Sequence, residues 1–306
     1  MNSVTEDGTK LGFIGLGNMG SRIATRLLAA GFHVSVFARN PAKRDAFKAK
    51  GATAYDSVAE LAHSVHAVLS CLTDDQAVRD VYFGQDGVLA NAKPGIVAIE
   101  MSTILPATSR ELASKASQAG VQMLDVAISG STPAAEQGTV TLLAGGNPDV
   151  FQASVPIFQV IAAKHFHLGP SGAGTTMKMV VNAILGVEMQ AIAEAAAMGE
   201  KAGLSREILL QVLSQTAVIA SAHLGKLSRA ARGDYNAQFP LPLMNKDFRL
   251  ILQLAGEVHA AMPAAAAAFQ VNTEALSRYG NLDFSAVMEY MEQASAKKTS
   301  SLSTTR

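Results

Sequence analysis

The chain has 306 residues, enough for two domains of ordinary size, each with its own core. Lysine plus arginine and aspartate plus glutamate balance at 25 each, so the sequence lacks the basic surplus of nucleic-acid binders and anionic-membrane binders. Apolar residues make up 49% and charged residues only 16%, an excess that predicts apolar surface buried in a homodimer or homotetramer.

Cysteine usage and the N-terminus bear on the compartment. The single cysteine, Cys71, excludes a disulfide within this sequence and fits a reducing environment. The first ten residues have no apolar signal core, and no window reaches the ~18 uninterrupted apolar residues of a membrane helix. We therefore predict a cytoplasmic protein without a membrane partner.

The first half of the chain alternates strand and helix patterns. An apolar strand at Lys10–Ile14 ends in a Gly-rich turn, and helical spacing follows over Ser21–Ala30. The alternation continues through the predicted strands Val34–Phe37, Ala67–Leu72 and Ile96–Glu100 and the predicted helices Pro41–Lys50, Val58–Ser64, Asp75–Tyr82 and Thr108–Ala119. This order predicts βαβ units in a parallel sheet that is covered on both faces.

The character of the sequence changes after Gly169. From Val121 to His167 the predicted segments are short and strand-like, at Met123–Val126, Val140–Ala144 and His165–Leu168. Helical patterns follow at Met177–Lys201, Ser205–Gln215, Ala217–Arg232, Lys246–Ala261, Ala264–Tyr279 and Phe284–Ala294. The prediction is an α/β Rossmann-type N-terminal domain over 1–169 and an all-α C-terminal substrate and dimerisation domain over 170–306. A polar tail from Ser295 is predicted to be disordered.

The strongest motif is Gly15-Leu16-Gly17-Asn18-Met19-Gly20, which lies between a predicted strand and a predicted helix. The first glycine permits the tight turn, the second lets the backbone approach a pyrophosphate, and the third lets helix and strand pack closely. The helix N-terminus then presents free N–H groups to the phosphates. The spacing and its context predict a dinucleotide site.

The end of the second predicted strand indicates which dinucleotide is bound. NAD sites place an acid there, ~20 residues past the glycines, to bind the ribose 2′-hydroxyl. This chain has Ala38-Arg39-Asn40 instead, with Lys43 one turn further on. A guanidinium suits a 2′-phosphate, so we predict NADPH as the preferred cofactor, with NADH as the alternative. A solvated Arg–Lys face remains the competing interpretation of these charges.

The start of the predicted long helix carries two candidate catalytic residues. Lys178 stands among Met177, Met179 and Val180, where a solvated lysine is hard to explain. A partly desolvated lysine can exchange its proton near neutral pH, as a general acid–base must. Asn182 lies four residues on, hence on the same helix face, where it could hold a substrate oxygen.

These motifs resemble those of the β-hydroxyacid dehydrogenase family, which includes 3-hydroxyisobutyrate dehydrogenases and semialdehyde and glyoxylate reductases. The resemblance runs from roughly Leu11 to Gln293. Its motifs occur in the expected order as Gly15–Gly20, Met101-Ser-Thr103, Asp125-Val-Ala-Ile-Ser-Gly-Ser131, Gly172–Asn182 and Lys246-Asp247. The chain departs from the family pattern at Ala127, Ser131 and Val181, where the family has Pro, Gly and Asn.

The resemblance implies reversible hydride transfer between NADPH and a short carboxylated aldehyde or keto acid, in a site between the two domains. It makes Lys178 the acid–base and Asn182 the residue that orients substrate. Ser129, Gly130 and Ser131 are implied to bind the substrate carboxylate, and Lys246 to lie near cofactor and substrate. Leu72 and Thr103 are assigned to the cofactor site, beside the glycine motif, Arg39, Asn40 and Lys43.

Two alternatives stay open at this point. Imine reductases and reductive aminases of the same superfamily typically lack the lysine found here at 178. A non-catalytic dinucleotide-binding scaffold has likewise lost it. A metal site is not expected, because His165 and His167 have no third ligand at zinc-like spacing.

Overall fold

The computed structural model describes residues Thr9–Ser295, so the predicted polar tail, apart from Ser295 at the end of the last helix, lies outside the described residues. The chain forms two compact units that divide between Val181 and Asn182, within one long helix. The boundary predicted at 169/170 falls just before that helix. The fold class predicted from the sequence, α/β followed by all-α, is confirmed.

The first unit contains every strand named in the described chain. They are β1 (Lys10–Ile14), β2 (His33–Phe37), β3 (Thr53–Ala54), β4 (Ala67–Ser70), β5 (Val97–Glu100), β6 (Gln122–Ser129), β7 (Val140–Gly146) and β8 (Ala162–His167). Its helices are α1 (Asn18–Ala29), α2 (Pro41–Lys48), α3 (Val58–Ser64), α4 (Asp75–Phe83), α5 (Val88–Asn91), α6 (Pro106–Gln118), α7 (Thr132–Gln137), α8 (Pro148–Ile161) and the first turns of α9 (Ala173–Lys201).

The strands form one sheet in the order β3-β2-β1-β4-β5-β6-β7-β8. The chain runs outward from β1 to β3, then returns to place β4 on the other side of β1. That reversal is the point at which α/β sheets bind ligands, beyond the carboxyl ends of the strands. Strands β1 to β6 pair in parallel, as predicted.

The sheet departs from the predicted parallel pattern at β7, which runs antiparallel to β6. Only the short helix α7 lies between these strands, too little chain for the crossover that a parallel pair requires. Strand β8 then pairs parallel with β7. The prediction of short strands over Val121–His167 also missed α8, a helix that begins at Pro148 under an Asn147 cap.

Apolar layers on the two faces of the sheet form the core of the first unit. One layer contains Leu27 of α1 and Phe158 of α8, packed with Leu69 of β4. The opposite layer contains Leu61 of α3 and Val68 of β4. Adjacent strand residues point to opposite faces, so the continuous apolar runs of the strands follow from helix cover on both sides.

In the second unit all the named elements of the described chain are helical. They are the rest of α9, α10 (Arg206–Leu213), α11 (Ser221–Ala230), α12 (Leu241–Glu257), α13 (Pro263–Tyr279) and a 3₁₀ turn (Phe284–Ala286) that leads into α14 (Val287–Ser295). Helix α12 starts earlier than predicted, with Pro242 in its first turn. A Cβ on Gly186 of α9 would collide with the Phe248 ring of α12, so glycine lets these helices pack closely.

By length and composition alone, α9 is apolar enough to span a membrane. Half of its most apolar window is buried inside the protein, and core helices of soluble proteins meet the same criterion. Polar residues such as Lys178, Asn182 and Glu188 also interrupt its apolar sequence. The helix is therefore weak support for a membrane span.

Candidate active site

The glycine loop follows β1 and has the geometry that its spacing predicts. Gly15 has φ +98°, and a Cβ there would collide with the carbonyl of Cys71. A Cβ on Gly20 would collide with the carbonyl of Gly15 and lie 3.0 Å from the Phe13 ring. Gly17, by contrast, has nothing within 4 Å of its Cβ position, which leaves open space at the N-cap of α1. With no acidic side chain in its first turn, α1 fits a dinucleotide phosphate.

The end of β2 places three predicted cofactor residues in different surroundings. The Lys43 ammonium donates to the Leu16 carbonyl at 2.9 Å, which ties α2 to the glycine loop. The Asn40 side chain accepts from the Ala42 N–H at 3.0 Å and caps α2. The Arg39 side chain is exposed and makes no hydrogen bond or ion pair with the part of the chain that the structure describes. Of the three, Arg39 is thus the side chain available to a ligand.

The segments after β4 and β5 are joined by a buried hydrogen-bond network. The Leu72 N–H donates to the Ser102 hydroxyl at 2.7 Å, and the Ser102 N–H donates to the Glu100 carboxylate at 2.9 Å. The other carboxylate oxygen accepts from the Ser70 hydroxyl at 3.3 Å. Burial is the largest effect on Glu100 and raises its pKa to about 7, against the hydrogen bonds from Ser102 and Ser70. The segments that contain Leu72 and Thr103 are therefore both held by the Glu100 carboxylate, through Ser102.

The predicted carboxylate-binding residues lie where β6 ends and α7 begins. Gly130 has φ +151°, and a Cβ there would lie 2.8 Å from Val140. Ser131 is the N-cap of α7, yet its hydroxyl makes no capping hydrogen bond. Neither the Ser129 hydroxyl nor the Ser131 hydroxyl bonds to another side chain or backbone group within Thr9–Ser295. Both hydroxyls are available to a bound anion.

Asp125 of β6 fixes the start of α9. Its carboxylate, 1% exposed, accepts from the Gly172 N–H at 2.8 Å and from the Thr175 N–H at 3.0 Å. A Cβ on Gly174 would collide with the Leu143 carbonyl and lie 2.6 Å from the Asp125 carbonyl, so the helix rests directly on the sheet. Burial raises the pKa of Asp125, against these backbone hydrogen bonds. The carboxylate thus serves as a distant N-cap for α9.

Lys178 follows Thr175 on α9 and is only 9% exposed. Its backbone position is set by the Asp125 anchor and by the closely packed glycine turn. A buried lysine on a fixed helix can hold its ammonium at one place in the site, which proton transfer requires.

In the second unit, Asn182 is 1% exposed and donates from Nδ2 to the Asp247 carboxylate at 2.6 Å. A carboxylate accepts hydrogen bonds, so the amide nitrogen must face Asp247. The Asn182 Oδ1 is buried and has no hydrogen-bond partner among the described residues. Lys246 forms an ion pair with the same Asp247 at 3.1 Å. Asp247 therefore orients both predicted polar residues of this unit.

Two protein-family models together match almost the entire described chain. Residues 10–169 match the NAD binding domain of 6-phosphogluconate dehydrogenase. Residues 172–291 match the NAD-binding domain of NADP-dependent 3-hydroxyisobutyrate dehydrogenase. The chain belongs to the 3-hydroxyisobutyrate dehydrogenase family.

Relatives along the full length agree with this family. Glyoxylate/succinic semialdehyde reductase 1 of Arabidopsis thaliana is 36% identical over 281 residues, which cover 92% of this chain and 97% of the relative. The 3-hydroxyisobutyrate dehydrogenase of Pseudomonas aeruginosa is 34% identical over 92% of this chain and 98% of its own. The solved Mycobacterium tuberculosis 3-hydroxyisobutyrate dehydrogenase with L-serine superposes with TM-score 0.85 at 30% identity, covering 92% of this chain and 99% of that one.

Membership in the 3-hydroxyisobutyrate dehydrogenase family confirms the resemblance predicted from the motifs and identifies the first unit as an NAD(P)-binding domain. Sequence reasoning gave no role to the buried acids Glu100, Asp125 and Asp247. Each is an acid in an otherwise apolar or motif segment, and a buried carboxylate must find donors. The sequence could therefore have indicated that these acids are buried and hydrogen-bonded, but not which groups donate to them.

Proposed function

We propose that the chain is an NADPH-preferring oxidoreductase that reversibly reduces a short carboxylated aldehyde or keto acid, with Lys178 as general acid–base. The observation that carries the proposal is a buried lysine on a helix whose start is anchored by the Asp125 carboxylate. The relatives named as semialdehyde reductases and hydroxyacid dehydrogenases support the substrate class.

In this proposal the nicotinamide supplies the hydride in reduction and accepts it in oxidation. The Lys178 ammonium gives its proton to the carbonyl oxygen as negative charge develops there, leaving a neutral amine that solvent reprotonates. Asn182 accepts the resulting hydroxyl's hydrogen bond at Oδ1, the atom that Asp247 leaves unpaired. In oxidation the same residues work in reverse.

The substrate carboxylate is proposed to bind at Ser129, Gly130 and Ser131. Two unpaired hydroxyls flank a glycine whose positive φ turns the backbone at this point. Ser131 replaces the family's glycine and adds a hydroxyl that a substrate with an extra polar group could use. Substrate choice within the family is therefore proposed to depend on residue 131.

The test is NADPH and NADH consumption with a panel of glyoxylate and of succinic, methylmalonate and tartronate semialdehydes, with the corresponding alcohols in the reverse direction. Turnover of a panel member would support the proposal. Tight nucleotide binding without turnover of any carbonyl would favour a non-catalytic scaffold. Turnover confined to carbonyl–amine mixtures would favour a reductive aminase.

Arg39 is proposed to select NADPH by binding its 2′-phosphate. Arg39→Asp should weaken NADPH binding by about 10- to 100-fold, because it removes charge-assisted hydrogen bonds and adds repulsion. NADH should bind the variant at least as well as it binds the wild type, since an acid at this point suits a ribose hydroxyl. Nucleotide titration measures both constants, and Lys48→Gln, which removes an exposed charge from α2, is the control. Equal losses for both nucleotides would contradict the assignment.

Self-association is proposed to involve the exposed apolar side chains of the second unit. Seven of them are more than half exposed: Ile184, Met198, Leu204, Ile208, Val212, Val218 and Val258. Light scattering should give the mass of a dimer or tetramer, and Ile184→Lys with Met198→Glu should lower that mass, because charges oppose apolar burial. A monomeric wild-type protein would refute this.

A further inference from the structure

The Glu100 carboxylate is a buried ionisable group that the proposed proton transfer does not use. It lies at the carboxyl end of β5, is 2% exposed, and is bonded to the Ser102 N–H and the Ser70 hydroxyl. Ser70 is in turn 2.7 Å from the Tyr82 hydroxyl of α4. Through Ser102, the carboxylate also supports the Leu72 N–H. One acid therefore ties together the segments that follow β4 and β5.

These two segments lie beyond the carboxyl ends of strands on the β4 side of the sheet reversal. In a doubly wound sheet, the half that begins with β4 binds the second nucleotide of the dinucleotide. The glycine loop and Arg39 belong to the other half, after β1 and β2. The Glu100 network therefore supports the backbone that faces the nicotinamide half.

We propose that Glu100 is a positioning residue that orders residues 72–73 and 101–103 for nicotinamide binding, and that it does so only while ionised. This inference rests on the nucleotide site of the proposed function. It makes the order of the nicotinamide-binding segments depend on pH.

The hydrogen-bond directions explain why ionisation matters. With the carboxylate ionised, the Tyr82 hydroxyl donates to Ser70, Ser70 donates to Glu100, and the Ser102 N–H makes a charge-assisted bond. With the acid protonated, one carboxyl oxygen becomes an O–H donor, so a hydrogen bond that the carboxylate accepted from Ser70 or Ser102 is lost or reverses its direction. The Ser102 N–H then faces a neutral acceptor, which holds it less firmly.

The surroundings of Glu100 disfavour its charged form. Burial raises its pKa to about 7, and the Asp125 carboxylate of the neighbouring strand acts in the same direction. Tyr82 stays neutral, because burial and then the Glu100 charge raise its pKa. Protonation of Glu100 therefore falls in the neutral range, where small changes of pH alter the network.

The test compares NADH affinity with pH in the wild type and in Glu100→Gln, from roughly pH 5 to 9. NADH is the probe because a 2′-phosphate titrates near pH 6 and would obscure the effect. Wild-type NADH should bind about tenfold more weakly below about pH 6 than above about pH 8, a loss of about 1.4 kcal/mol. Glu100→Gln should bind weakly at every pH, and the exposed Glu60→Gln control should follow the wild type.

Thermal unfolding of the nucleotide-free protein gives a second readout. The pKa of this buried acid is raised from its ordinary 4.5 to about 7. The free energy of unfolding therefore falls as pH rises through that interval, because the folded state holds the proton more tightly than the unfolded state. Glu100→Gln should therefore have a higher Tm than the wild type above about pH 8, and the two should converge below about pH 4. A purely structural role predicts the reverse, a variant with a lower Tm at every pH.

Each outcome separates this inference from the proposed function. A pH-independent NADH affinity in the wild type, or the same pH dependence in Glu100→Gln, would overturn the role of Glu100 and leave the dehydrogenase proposal intact. The expected pH dependence without turnover of any carbonyl would support Glu100 and refute the reaction. Failure to bind either nucleotide would overturn both. A pH-independent wild-type titration overturns the role of Glu100 even if the variant does not fold.

Discussion

Replacement of Lys178 by alanine is expected to lower kcat by about 10²- to 10⁴-fold, the range that general acid–base groups contribute. The ammonium is the proposed proton donor to the developing alkoxide. A water molecule that filled its place in the variant would be neutral and would not supply the positive charge. NADPH affinity should stay within about threefold of the wild type, because the proposed role arises in the transition state. Steady-state kinetics on the best panel substrate and nucleotide titration measure the two effects.

Lys201→Ala is the matched control, since it removes an exposed lysine at the end of the same helix. It should leave kcat unchanged. A Lys178→Ala variant that keeps more than about a tenth of wild-type kcat would show that another group moves the proton. A large loss of nucleotide affinity together with kcat would instead indicate that Lys178 acts in cofactor binding.

Local sequence signals predicted the conformation of the glycine loop well. The glycine spacing has one physical explanation for each position, and the structure agrees at Gly15, Gly17 and Gly20. Strand and helix periodicity also placed most of the first six strands and their helices. These features depend on residues close together in sequence, which is why patterns alone could predict them.

The prediction failed where tertiary packing decides. Helix α8 carries Pro156 in its interior and is rich in Val, Ile and Phe, which obscures helical spacing. Its buried apolar side chains, Val150, Phe151, Ile157, Phe158 and Ile161, nevertheless lie on one helix face. The direction of β7 depends on how little chain joins it to β6, a constraint visible only once both strands are placed.

The anchors of the site could not be paired from sequence for a related reason. Asp125 reaches Gly172 across 47 residues, Ser70 reaches Glu100 across 30, and Asn182 reaches Asp247 across 65. The motifs predicted residues that contact ligands, whereas the hydrogen-bond partners of the buried acids emerged only from the fold. A functional prediction made from motifs alone therefore omits these hydrogen-bonded pairs.

The second large effect is expected at Asp125. The amide of Asp125→Asn can accept from only one of the Gly172 and Thr175 N–H groups, and its NH₂ faces the other donor. The substitution should lower the free energy of unfolding by about 3 kcal/mol, since both bonds are to a buried charge. It should also let the start of α9 shift, because one of the two backbone N–H groups that the carboxylate holds is released.

A shift of that start displaces Lys178, and a displacement of about 1 Å can lower a rate about 10²-fold. We expect kcat per bound NADPH to fall by about that factor in Asp125→Asn, while the affinity of the glycine loop for NADPH is kept, because β1 and α1 do not depend on Asp125. Normalising the rate to binding sites separates displacement from loss of folded protein. The exposed Asp149→Asn variant controls for the substitution itself. An unchanged kcat per bound NADPH would mean that Asp125 stabilises the fold without positioning the lysine.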